Sequence, residues 1–249
     1  MPDFNGWASS DWDRVGGYRA LREKSKKYLT PFSEKTPKLL WRGQLDVGMT
    51  ISPIRTALVD VTKDKPWSDV DDIRWGGKAG AIDMEKHCQW QFLAHTEGNS
   101  WSGRLRNLVN CNSAIIIHNP LQWVAHFYSI LKSEGPEQNY IAVKNDWSDL
   151  EEKMNYFLEH TDEAERIAEQ GRRTFRDRYM TPAAEACYIR RMIYEWAKVQ
   201  KWEPELYKGE KMRGVSWERF SWRGAPHLEG KPNPPDDYFW KSEEVAFED

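Results

Sequence analysis

Gln91-Phe92-Leu93-Ala94-His95-Thr96-Glu97-Gly98-Asn99-Ser100-Trp101-Ser102-Gly103-Arg104 runs from a short apolar stretch, through small polar residues, into a helical pattern that continues to Asn110. Strand, loop and helix in that order make up half of a βαβ unit. The same order occurs upstream, where Lys38 to Trp41 predicts a strand and Ile54 to Val61 a helix. Downstream, Ala114 to Ile117 and Tyr140 to Val143 are unbroken apolar runs, the pattern of parallel strands covered on both faces. The fold expected is α/β, a Rossmann-like parallel sheet with flanking helices.

After Val143 the pattern turns helical. Ser148-Asp149-Leu150-Glu151 has the form of a capping box. Thr161-Asp162-Glu163 opens a second helix with Ala164, Ile167, Ala168, Gly171 and Phe175 on one stripe, and Thr181-Pro182 places proline in the first turn of a third, expected to reach about Trp202. The domain is therefore expected over 37–202. Residues 1–36, with one short helix around Tyr18 to Tyr28, read as a remnant of a preceding domain and its linker. Residues 203–249, which include Lys231-Pro232-Asn233-Pro234-Pro235, read as an extended tail.

Composition narrows the function. A chain of 249 residues that is 39% hydrophobic and 30% charged is built to fold. A net charge of -3 without a long basic run offers no footprint for nucleic acid or an anionic membrane. The sequence holds no membrane-spanning apolar stretch and no targeting signal at Met1-Pro2-Asp3-Phe4-Asn5. Its 14 Trp residues can serve as core or as flat platforms for sugars. Cys88, Cys111 and Cys187 fit one bridge with an orphan, or three reduced thiols, equally well.

The loop Thr96 to Arg104 is the leading candidate site. Its glycines let a ligand approach the backbone, its hydroxyls and helix-start amides can donate, and Arg104 adds a bidentate cation. A tight turn capped by Ser102 is the alternative use of the same residues. A second candidate follows the earlier strand, with Arg42, Gly43, Gln44 and Arg55; surface or salt-bridged arginines are the alternative there. Ligands of open α/β sheets sit beyond the carboxyl ends of the strands, where both loops fall. Asp69-Val70-Asp71 and Asp11-Trp12-Asp13 match the D-x-D form of metal-dependent sugar transferases, yet suit loop or cap carboxylates better. His87, His95, His118 and His126 lack metal-ligand spacing, and no serine sits in a nucleophile elbow.

The run His87-Cys88-Gln89-Trp90 through Arg104 resembles the signature of capsule-associated, CAP-ten-type glycosyltransferases, especially fungal members, a family that includes Rumi-type protein O-glucosyltransferases. Trp41-Arg42-Gly43, Asn110-Cys111-Asn112-Ser113, Asp146-Trp147-Ser148-Asp149-Leu150, and Thr174 to Tyr179 with Thr181 to Tyr188 extend the likeness in order. The resemblance implies the donor-binding C-terminal half of a GT-B enzyme that transfers glucose or xylose from a UDP-sugar to a glycan or protein hydroxyl, inverting and without metal or other cofactor. It implies donor contacts from Arg42, Gly43, Gln44, Arg55, Gly98, Asn99, Ser100, Trp101, Ser102, Gly103 and Arg104, with Gln44 standing where the glucosyltransferases have serine. Pro2, Asp3 and Phe4 correspond to the acceptor side.

The general base of relatives lies in the N-terminal domain, so no catalytic residue is assigned within this chain, and donor binding with weak or no transfer is expected of the fragment. The resemblance further implies a Cys88–Cys111 disulfide, a partner for Cys187 in the other domain, and an endoplasmic reticulum or Golgi lumen location for full-length relatives. A non-catalytic carbohydrate- or partner-binding remnant of the same fold is the alternative function.

Overall fold

The computed structural model describes residues 17–47, 50–73, 80–98, 101–202, 207–208 and 211–212. The chain divides into two compact units, Met1–Arg190 and Arg191–Asp249. The first contains a five-stranded, fully parallel sheet: β1 (Thr36–Gly43), β2 (Ser68–Asp72), β3 (Trp90–His95), β4 (Ala114–Asn119) and β5 (Ile141–Lys144), in spatial order β2-β1-β3-β4-β5. The expected Rossmann-like α/β class is what the chain adopts, consistent with a GT-B glycosyltransferase domain. This order reverses direction between β1 and β3, and such a switch point opens a crevice at the carboxyl edge of the sheet.

Each face of the sheet buries its own cluster. On one face Leu39, Trp41, Phe92, Ala94 and Ile116 meet α2 (Pro53–Thr62), α4 (Leu150–Glu159) and α5 (Thr161–Thr174) through Leu58, Met154, Phe157, Ala164 and Ile167. On the other, Leu40, Leu93, Ile115 and Ile117 meet α1 (Tyr18–Ser25) and the five-residue α3 (Arg104–Leu108) through Tyr18, Leu105 and Leu108. The helical stripe read from Ala164 to Gly171 is buried as expected, with Phe175 at the start of a π-helical turn, Phe175–Tyr179. Burying each large apolar side chain contributes about 1.5–3 kcal/mol, so these two faces carry the stability of the unit.

Two expectations are corrected. Ser68–Asp72 is not a loop but the edge strand β2, an acidic sequence that propensity disfavours as strand. Arg42 holds it, donating to the backbone oxygen and carboxylate of Asp69, while Trp90 Nε1 also donates to that carboxylate at 2.9 Å. The capping box does not form. Trp147 takes a left-handed backbone (φ 62°), the Leu150 amide bonds to the Trp147 carbonyl at 3.0 Å, and Glu151 reaches across to Lys65 at 2.6 Å. α4 thus starts at Leu150 without a side-chain cap.

Side chains of residues 17–36 pack into this unit. Tyr18 and Phe32 are buried, and the Tyr18 hydroxyl donates to Asn110 Oδ1 at 3.1 Å. The first unit ends at Arg190, inside α6 (Pro182–Val199); of the tail, 203–206, 209–210 and 213–249 lie outside the described residues. No helix among the described residues is long and apolar enough to cross a membrane.

The start of α6 is fastened within the first unit. Arg106 of α3 bonds Glu185 at 2.8 Å, His126 meets the same oxygen at 3.3 Å, and the Arg106 guanidinium lies 4.4 Å from the Tyr18 ring centroid. Cys88 and Cys111 form a disulfide that joins the turn before β3 to the segment after α3, while Cys187 is free and exposed.

Closing a loop across 23 positions restricts the unfolded chain by roughly 3 kcal/mol. The Cys88→Ala, Cys111→Ala double variant is expected to lose about that much unfolding free energy in urea denaturation, and the wild type under reductant to lose the same.

Candidate functional site

At this carboxyl edge, four strand ends contribute loops that are tied to one another by specific bonds. β1 ends at Gly43 and β3 at His95. Arg55, in the first turn of α2, spans the gap between them, donating from Nε to the Glu97 carbonyl at 3.0 Å and from Nη1 to the Gln44 carbonyl at 2.8 Å. Trp41 Nε1 donates to Thr96 Oγ1 at 3.2 Å, a second tie between the same two loops. α2 is itself located by Trp147, whose indole donates to the Ile54 carbonyl at 3.0 Å. A bulky residue in the left-handed region costs on the order of 1–3 kcal/mol, which the buried indole and its bond offset.

The third tie is electrostatic. Glu97 is buried, and its two carboxylate oxygens accept the amides of Gln122 (3.0 Å) and Trp123 (2.7 Å) in the loop after β4. The Glu97 amide donates to His118 Nε2 at 3.2 Å, and His118 Nδ1 faces Asn145 Oδ1 at 2.8 Å, so the imidazole is neutral with its proton on Nδ1. Burial lowers the His118 pKa, against the opposing pull of the Glu97 charge and the Asn145 bond. The loops after β3, β4 and β5 therefore move together or not at all.

Within this frame lies a concentration of positive charge that no acid among the described residues pairs; the Glu97 carboxylate is taken by the two amides. Arg104 stands 5.4 Å from the centroid of the Trp41 ring, and its Nη1 is closed off from solvent with no hydrogen-bond partner among the described residues. Burial, and then the charge of Arg55, pull its pKa down to about 9; it remains a cation at neutral pH. Burial likewise lowers that of Arg55. His87 and His95 are both buried near Arg104; His87 Nε2 and both ring nitrogens of His95 are unpartnered among the described residues. Burial first, then Arg104, brings His87 to about 4.

Gly43 has a geometric reason. A β-carbon there would lie 2.5 Å from Trp41 Cζ2, 2.8 Å from Trp41 Cη2 and 3.1 Å from Arg104 Nη2. Only a bare backbone lets the indole and the guanidinium close over the end of β1.

The sequence-selected residues thus divide. Gly43, Gln44, Arg55 and Arg104 converge. Arg42 is committed to Asp69, its Nη atoms bonded and Nε alone unpartnered among the described residues. Trp101, Ser102 and Gly103 are half-buried in the approach to α3, as is Gly98 after β3; Ser102 does not cap, since the residue preceding the helix is Gly103 and no side chain bonds there. Because α3 has only five residues, its dipole adds little and the cations carry the attraction for an anion. Asn99, Ser100, Pro2, Asp3 and Phe4 lie outside the described residues. Sequence reasoning missed Glu97 as the loop tie and His95 as a buried imidazole. Their one signal was an acid and a histidine at the end of an otherwise apolar strand.

A family model described as glycosyl transferase family 90 matches residues 1–219. O-glucosyltransferase rumi of Drosophila pseudoobscura pseudoobscura is 28% identical over 200 residues, covering 76% of this chain and 48% of that protein. Protein O-glucosyltransferase 1 of Homo sapiens is 27% identical over 186 residues, covering 72% and 46%. The chain spans about half the length of the curated relatives it matches. These matches bear out the Rumi-type side of the resemblance.

Removing the Glu97 carboxylate would leave two loop amides without acceptors. Glu97→Ala is expected to lower stability by about 3 kcal/mol and to speed hydrogen exchange at Gln122 and Trp123, whereas Glu97→Gln, keeping one acceptor oxygen, loses less on both measures.

Proposed function

The chain belongs to glycosyl transferase family 90, and from that premise we propose that the crevice between β1 and β3 holds the diphosphate of a UDP-sugar whose glucose- or xylose-class sugar passes to a hydroxyl of a protein or glycan. The observation that carries this reading is Arg104: a guanidinium with a sealed nitrogen that has no partner among the described residues, beside a second arginine. A buried cation without an acid is costly unless a ligand brings the opposite charge. A diphosphate does so: Arg104 brings a planar guanidinium to it, and Arg55, with Nε and Nη1 on carbonyls, brings its charge and its remaining Nη2. Gly43 and Gly98 let its oxygens approach the backbone, with Gln44, Trp101, Ser102 and Gly103 beside them, and Asn99 and Ser100 are assigned as further donor contacts on the motif resemblance alone.

Breaking the anomeric bond drives negative charge onto the departing diphosphate. Cations already aimed at that position stabilise the charge without reorganising, and two guanidinia supply what a divalent ion would otherwise bring, so the transfer is metal-independent in this reading. Attack from the opposite face inverts the anomeric centre and needs a base for the acceptor proton. Glu97 is poorly suited, because both of its oxygens already accept amides. The base is instead assigned to the part of the relatives that this chain does not match, and Pro2, Asp3 and Phe4 to the acceptor side. The Cys88–Cys111 bridge supports an oxidising, lumenal compartment. Kinship to the fungal CAP-ten-type members rests on the motif series.

Calorimetric titration with UDP tests the reading. Saturable binding is expected, weakened about 10- to 100-fold in Arg104→Ala and in Arg55→Ala, the loss of roughly 1.5–3 kcal/mol carried by a charged hydrogen-bonding group. Binding of free glycan together with indifference to UDP would favour the non-catalytic carbohydrate-binding alternative.

A further inference from the structure

His95 ends the central strand β3, fully shielded from solvent, with neither ring nitrogen partnered among the described residues. Arg55 from α2 bonds the Glu97 carbonyl two residues further on, and Arg104 from α3 lies over Trp41, whose indole bonds the next residue, Thr96; the charges of Arg55, Arg104 and His118 of β4 act on the ring. The nearby acid, Glu97, is turned to the Gln122 and Trp123 amides. A buried imidazole beside two guanidinia has every reason to stay neutral. Its surroundings change once an anion reaches the same guanidinia, because two negative charges offset the two positive ones.

We propose that anion binding on the Arg55–Arg104 pair is coupled to uptake of one proton by His95, so that the donor's diphosphate and a proton from solvent are bound together. The coupling rests on the donor reading of this site.

The other imidazoles are poorer acceptors. His118 Nε2 already takes the Glu97 amide, so a proton there would break the tie that locks the loops. His87 is held through Nδ1 to the Asp83 carbonyl at 3.1 Å and feels the charges of Arg104 and Arg42, not of Arg55. His95 has two nitrogens without a partner among the described residues and feels both cradle arginines. In the free protein, burial first and then His118, Arg104 and Arg55 hold its pKa well below the ordinary histidine value. A bound anion raises it. Uptake therefore occurs at pH values between the two, and affinity falls as pH rises through the bound-state value. The recruited proton then sits beside the diphosphate as it departs.

The test is titration of the wild-type chain with UDP-glucose, whose phosphates are both ionised throughout the histidine range and contribute no proton of their own. Two buffers of unequal ionisation enthalpy are used, neither of them phosphate, between about pH 5.5 and 7.5. The expected result is proton uptake that grows as pH falls, with affinity changing by up to about tenfold per pH unit. His95→Gln is expected to bind with that pH slope lost. A parallel NMR titration of the His95 ring in the wild type, with and without sulfate, reads the same event without a variant; sulfate is expected to raise the midpoint. Binding of UDP-glucose with no proton uptake and an unmoved His95 midpoint overturns the coupling and leaves the donor reading standing, and uptake that persists in His95→Gln overturns it equally. A midpoint raised by sulfate, without UDP-glucose binding, sustains the coupling and removes the donor reading. Response to neither anion overturns both.

Discussion

The bridge made by Arg55 is the contact on which the rest of the carboxyl edge depends. A parallel sheet leaves its last carbonyls pointing into a crevice, and at a switch point adjacent loops part in opposite directions. Here one guanidinium takes the carbonyls of Gln44 and Glu97 and closes that gap. Everything nearby presupposes it: the Trp41–Thr96 bond, the indole under Arg104, and the glycine that lets both lie flat against the end of β1. A side chain used this way has part of its donor set satisfied and part of its charge unanswered, so it can brace the loops and face a ligand at once.

The unanswered charge sets the electrostatic character of the site. Three cations elsewhere in the unit have partners: Arg106 has Glu185, Arg42 has Asp69, and Lys35 donates to Ser113 and the Asn112 carbonyl. Arg104 Nη1 has none among the described residues, and the same holds for ring nitrogens of His87 and His95. Proteins keep groups in such costly positions where a bound species supplies the missing charge. The neutral imidazoles add polarisability without adding repulsion, which is how a cradle can be strongly positive and still fold.

How much of this could be read from the sequence follows from what sequence patterns encode. Continuous apolar runs are the mark of buried parallel strands, so β1, β3, β4 and β5 were legible, and the apolar stripe of α5 matched its burial residue for residue. β2 was not, because Ser-Asp-Val-Asp-Asp has neither the branching nor the apolarity of a strand and is held by Arg42, a partner 27 positions away. The local capping signal at Ser148 was overridden by Trp147, whose burial against α2 dictates a backbone that no local rule anticipates. At the candidate site, Arg55 and Arg104 stood out in the sequence because arginine after a strand is a chemical signal in itself. Glu97 and His95 were missed because their roles depend on atoms brought in from β4 and the loop that follows it.

Trp147 holds a conformation that a glycine or asparagine would adopt with less strain, yet its indole anchors the carbonyl at Ile54, one residue before Arg55. Relaxing that backbone and keeping the anchor are incompatible demands on a single position. Engineering for heat tolerance that begins by replacing the most irregular dihedral in this unit would release the first turn of α2, and a sturdier molecule would then present a blunter pair of arginines.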